Sequence, residues 1–113
     1  MPFFELLILL VMCHFVADYP LQSDFIANAK NHTTDLGKMF WKWVLPSHGA
    51  VHALFVLLVT QSFVLAIFEW VAHCVIDYLK CAGKITLNQD QWLHIGCKVL
   101  YVALLMLGVP YLV

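Results

Sequence analysis

A chain of 113 residues, 63% hydrophobic and only 12% charged, with a mean hydropathy of +0.85, has a membrane composition, because a soluble domain is about half apolar and a quarter charged. Its six basic residues are all lysine and its net charge is -1, which excludes a basic nucleic-acid footprint and an acidic tail alike. The length holds one domain and at most about four helical crossings of about 20 apolar residues each.

Four apolar runs are expected to be spans, at 2–19, 46–60, 63–80 and 91–113, so the fold class is all-α, an integral membrane four-helix bundle in a single domain. The first run has no basic segment before it, carries Glu5 and lacks a small residue ahead of Cys13, and so reads as a mature span rather than a cleaved leader. The polar stretch 22–42 follows, in which DFIANAKN predicts a short surface helix and KMFWKW an interfacial aromatic belt. Pro20, Pro46 and Pro110 mark helix boundaries, and Thr60-Gln61-Ser62 forces a tight antiparallel hairpin between spans two and three. The link 81–90 contains Gly83 and Asn88 and reads as a loop ending in a cap for span four. Trp41, Trp43, Trp70 and Trp92 sit near span ends as interface anchors, and His32 reads as solvated. Cys13, Cys74, Cys81 and Cys97 lie in or beside apolar runs without a CxxC pair, so they read as small buried hydrophobes.

Alternating crossings bring the links 22–42 and 81–90 to one side, where Lys30, Lys38, Lys42, Lys80 and Lys84 lie. The positive-inside tendency makes that side cytoplasmic and points both termini away from it, in a multi-pass protein of the bacterial inner membrane. One motif recurs: His14-Phe-Val-Ala-Asp18-Tyr19 closes span one and His73-Cys-Val-Ile-Asp77-Tyr78 closes span three. Spans one-two and three-four therefore read as two related hairpins.

Residues four apart share a helix face, and every span carries such a polar pair: His14 and Asp18, His48 and His52, His73 and Asp77, Asp90 and His94. Chain direction puts these pairs in register, with a deep layer of His14, His52, His73 and His94 beneath a shallower layer of Asp18, His48, Asp77 and Asp90. Imidazole and carboxylate converging from facing helices suit a divalent ion, zinc first and iron or manganese next. The eight candidate ligands exceed one tetrahedral shell, so either two ions bind or some members orient others. A hydrogen-bonded His/Asp network without metal is the alternative, whereas haem is not expected because the Asp residues would place charge beside the macrocycle. The stripes continue inward to Glu69 and Lys98, which are expected to pair because either charge alone is costly there, with snorkelling of Lys98 as the competing arrangement. Toward the cytoplasm, Gln22 and Gln91 are placed to donate to the carboxylates.

The segments HFVADYPLQ, HCVIDYLK and DQWLH, with the histidine-bearing second span between them, resemble in order and spacing the family of small four-span membrane proteins of bacteria and their phages called domain of unknown function 3307. The resemblance covers nearly the whole chain and implies a polytopic membrane protein with His/Asp motifs. A looser likeness, in size and motif type alone, is to bacterial membrane-bound metal-dependent hydrolases. The expected function is a metal-dependent hydrolase at the cytoplasmic leaflet, with Asp18 or Asp90 as general base. Di-iron oxidation ranks lower for want of a Glu-rich ExxH pattern. The alternatives are a non-enzymatic module, phage-encoded or bacterial, whose polar core is structural and which binds another membrane protein, a second copy or the host envelope, and a proton or metal-ion conduit. The partner in every case is the lipid bilayer; nucleic acid is not.

Overall fold

The computed structural model describes residues 2–113, which form five α-helices and no strand: α1 (Phe3–Asp18), α2 (Asp24–Ala29), α3 (Asp35–Thr60), α4 (Phe63–Cys81) and α5 (Leu87–Met106). The four long helices close a ring in which α1 and α4 stand at opposite corners, each packed against α3 and α5. Their side-chain pairings run in opposite senses along every neighbouring pair, as in His14 with His52 and His94, and Glu69 with Lys98. The topology is thus up-down-up-down, and the two HxxxDY motifs face each other across the ring.

Local chemistry sets the helix ends, and three of them differ from expectation. Instead of beginning at Pro46, α3 begins at Asp35, where the Thr34 hydroxyl accepts from the Gly37 amide and Asp35 stands in the first turn, a favourable N-terminus. Pro46 is accommodated inside α3, at the cost of the amide donor that the carbonyl of Lys42 would otherwise receive. Only residues 22–34 of the expected 22–42 link therefore lie outside the long helices. The final helix runs from Leu87 rather than residue 91, under a reciprocal cap between Thr86 and Gln89, and ends at Met106 rather than 113. Gly108 with φ +67° and Pro110 follow. The tight turn between α3 and α4 forms as expected, on Gln61 in the left-handed region and the Ser62 cap.

The short α2 lies along the N-terminal half of α3, held by the Ser23 cap and by Thr34, whose hydroxyl donates to the carbonyls of Asn28 and Asn31. This join has no room for a side chain at Gly37: a Cβ there would fall 1.6 Å from the Asn31 carbonyl oxygen. Gly37→Ala is expected to lower stability by about 1–3 kcal/mol or more, seen as a fall in Tm; an unchanged Tm would contradict this packing.

Hydropathy inside the ring is divided along its axis. Leu6, Leu10, Val56, Leu65, Tyr101, Val102 and Leu112 fill the end remote from α2, while buried ionisable groups fill the middle and the α2 end. Large apolar side chains also stand on the outer surface: Met12, Leu54, Leu58, Phe63, Ile67, Val71 and Leu100 are all exposed. By length and composition, α3 alone among the described residues is long and apolar enough to cross a membrane. Of the others, α1 has 16 residues, α4 contains Glu69, Asp77 and Lys80, and α5 opens on Asn88, Gln89, Asp90 and Gln91.

Candidate metal centre

The one-turn spacing on each helix, combined with the antiparallel ring, brings five histidines together. His52 stacks on His73 with ring centroids 3.7 Å apart, His73 on His94 at 4.2 Å, and His14 lies 5.0 Å from His94 and 5.2 Å from His52. One turn nearer α2, His48 lies 4.9 Å from His52 and 5.1 Å from His73. All five rings are buried.

Asp18 is the hub. Its Oδ1 accepts from His52 Nε2 at 3.1 Å and His48 Nε2 at 3.2 Å, with His73 Nε2 at 3.8 Å. Gln91 bridges the carboxylates, its Nε2 donating to Asp18 Oδ2 at 2.8 Å and to Asp90 Oδ2 at 2.9 Å. With its amide nitrogen so engaged, Gln91 presents Oε1 to His14 Nε2 at 3.0 Å. His14 must then carry its proton on Nε2, which leaves a lone pair on Nδ1, and that atom is buried without a partner. Also buried and unpartnered are both ring nitrogens of His73 and Oδ1 of Asp90, although buried polar atoms are ordinarily satisfied.

Buried carboxylates outnumber buried ammonium groups. Four carboxylates are buried, Asp18, Glu69, Asp77 and Asp90, against two buried ammonium groups, Lys30 and Lys98. Glu69 receives Lys98 on Oε1 and the Tyr101 hydroxyl on Oε2, and Asp77 receives Lys30 at 2.6 Å and the rim residue Lys80 at 3.2 Å. Asp18 and Asp90 have no lysine within 4.0 Å. Two negative charges therefore face a nest of imidazoles, and uncompensated buried charge is strongly unfavourable; one divalent cation balances them.

Two sets of ligand atoms suit such an ion, each with all members within 4.8 Å of one another: Asp18, His48, His52 and His73, and His14, His73 and His94. In the first, the separations of 3.1, 3.2 and 3.8 Å from Asp18 Oδ1 bracket the edge of about 3.3 Å implied by a tetrahedron with metal–ligand bonds of about 2.0–2.1 Å. The residues present could therefore hold a metal ion.

Of the eight expected ligands, Asp77 and Asp90 lie outside both sets. Asp77 is withdrawn by its lysines, and Asp90 pairs with Gln91 while keeping its Oδ1 3.3 Å from His94 Nε2. Glu69 and Lys98 pair as expected, so Lys98 does not snorkel. Gln22 does not reach the carboxylates, because α1 stops at Asp18 and the one-turn relation lapses; its amide oxygen is buried without a partner. His32, expected to be solvated, stacks on Tyr78 at 4.0 Å with Trp41 beside it. Lys30, expected on a loop surface, is buried against Asp77, a contact across 47 residues of sequence that no local pattern announces. Tyr101 follows Lys98 by three residues on the same face, but an aromatic in an apolar run carries no distinct signal. All four cysteines are free, and each is partly buried.

Fold and centre together define a helical protein with a polar core compatible with metal binding. The chain belongs to the family described as protein of unknown function DUF3307, whose family model matches residues 6–111. No curated protein and no solved structure matches it.

Proposed function

We propose that this is an integral membrane protein that binds a divalent ion, zinc first, in its His/Asp core and acts as a metal-dependent hydrolase at the cytoplasmic leaflet. The observation that carries the metal is the pair of carboxylates without a close lysine, Asp18 and Asp90, facing five buried histidines, of which His14 and His73 have unpartnered ring nitrogens. An apolar exterior around this polar interior supports the bilayer, with the lysine-bearing α2 end toward the cytoplasm. Asp18, His48, His52 and His73 would hold the ion, which would supply Lewis acidity toward an ester or phosphoester. Asp90, with its free oxygen beside His94, is the proton acceptor, and Gln91 fixes its distance from Asp18. A groove of about 190 Å³ between α1, α2 and α3, walled by Ala17, Leu21, Ile26, Val44 and Val51, ends at His48. It suits an ester or phosphoester with an apolar tail.

One observation favours a second reading. The Asp18 set offers four protein ligands, which is a closed shell of the structural type, and a structural ion would make the protein a non-enzymatic membrane module that engages another membrane protein or the host envelope. An ion conduit finds no such support, because Leu6, Leu10, Val56, Leu65 and Val102 fill the far end of the interior.

Elemental analysis of protein purified in detergent without chelator is expected to find about one equivalent of ion per chain. Fluorogenic phospholipid esters and phosphodiesters should be cleaved in a way that a chelator abolishes and zinc restores. Metal without turnover selects the structural reading, and metal-free protein overturns both.

A further inference from the structure

The α2 end holds a second cation position that already contains a cation. Asp77 Oδ2 lies 3.8 Å from His48 Nε2 and 3.9 Å from His73 Nε2, and the ligand atoms of those two histidines lie within 4.8 Å of each other. Asp77 thus faces two members of the Asp18 set. Yet the same Oδ2 accepts the Lys30 ammonium at 2.6 Å. The other groups on Asp77 are at Oδ1, Lys80 Nζ at 3.2 Å and Cys81 Sγ at 3.8 Å. Lys30 itself is 3% exposed, an unusual burial for lysine, and it comes from the C-cap of α2, the one short element lying over this end of the ring.

Resting on the metal reading above, we propose that Asp77, His48 and His73 form an entry station for a divalent transition-metal ion, and that Lys30 is the displaceable ammonium that closes it. The opposite end of the interior is filled by apolar side chains and the Glu69–Lys98 pair, so an ion from the aqueous phase passes the α2 end. At the station it replaces one positive charge with two on a carboxylate. It then reaches the Asp18 set by exchanging Asp77 for Asp18 and His52 while keeping His48 and His73. No ligand leaves before another is in reach, because Asp18 Oδ1 and Asp77 Oδ2 lie 3.8 and 3.9 Å from the same His73 Nε2. The ammonium also explains why Asp77 stands apart from the inner set, although its motif repeats that of Asp18.

The test is the rate at which cobalt(II)-loaded protein, followed by its visible absorption, loses its ion to excess EDTA. Lys30→Met is expected to shorten the half-time roughly tenfold or more, since it breaks a buried ion pair, and Lys30→Arg to keep it near that of the wild type. If Lys30→Met does not fold, Lys30→Gln, which keeps a donor for Asp77 while removing the ammonium, is also expected to release the ion faster. A wild-type half-time in whichever of these variants folds overturns the gate. Wild-type protein that takes up no cobalt(II) overturns the metal reading instead, and the two failures are distinct.

Discussion

Replacing His73 with alanine is expected to empty the centre: metal content falls from about one equivalent to background, and zinc no longer raises the Tm. His73 is the only residue common to both ligand sets, and its two ring nitrogens are the only complete pair of buried unpartnered atoms on one side chain among the described residues. An ion present at a thousandfold over its dissociation constant stabilises a protein by about 4 kcal/mol, so the wild type should lose on that order when stripped with chelator. The variant should start from that lower level and should not respond to the chelator. His32→Ala, outside both ligand sets and stacked on Tyr78, is the control and should retain its ion. A His73→Ala protein that keeps one equivalent and still gains stability from zinc would mean that the ligand sets have been misassigned.

What could be read without the structure, and what could not, divides along a physical line. A helix repeats its face every three to four residues, so the alignment of His14 with Asp18, His48 with His52, Glu69 with His73 and Asp77, and Asp90 with His94 and Lys98 is a local property. Short links then force neighbouring helices to be antiparallel, which suffices to bring the rows to one depth. The ring contacts among His14, His52, His73 and His94 follow. What escaped is decided by tertiary contact. Lys30 has the composition and neighbours of a solvated loop lysine, and only the docking of α2 on α3 carries it to Asp77. Pro46 signals a boundary by its missing donor, but the Thr34 cap and the packing of α2 against the first turns of α3 outweigh that signal. The division of eight polar residues into an inner set, a lysine-held carboxylate and a Gln91-held carboxylate likewise depends on which oxygen faces which nitrogen. Spacing along the chain does not carry that information.

Beneath the centre, the Glu69–Lys98 pair supplies the second large effect, and its two consequences have opposite signs. Lys98→Met leaves a carboxylate buried with the Tyr101 hydroxyl as its remaining close partner, and breaking a buried pair from one side costs about 3–5 kcal/mol. The protein should unfold at a correspondingly lower temperature. Adding Glu69→Gln removes the stranded charge and should recover most of the loss, because the pair as a unit stabilises little once its desolvation is counted. Metal binding should move the other way. Glu69 Oε1 lies 3.8 Å from His73 Nδ1, so a Glu69 freed of its ammonium turns toward that ring and makes it a better donor, as carboxylates behind ligating histidines do. Lys98→Met is therefore expected to hold zinc about tenfold or more tightly in competition with a chromophoric chelator, even as its chelator-stripped form melts earlier. A purely structural ion pair would lower stability and leave the zinc affinity unmoved, so a wild-type affinity in Lys98→Met separates the pair from the centre. Lower affinity would mean that Glu69 does not act through His73.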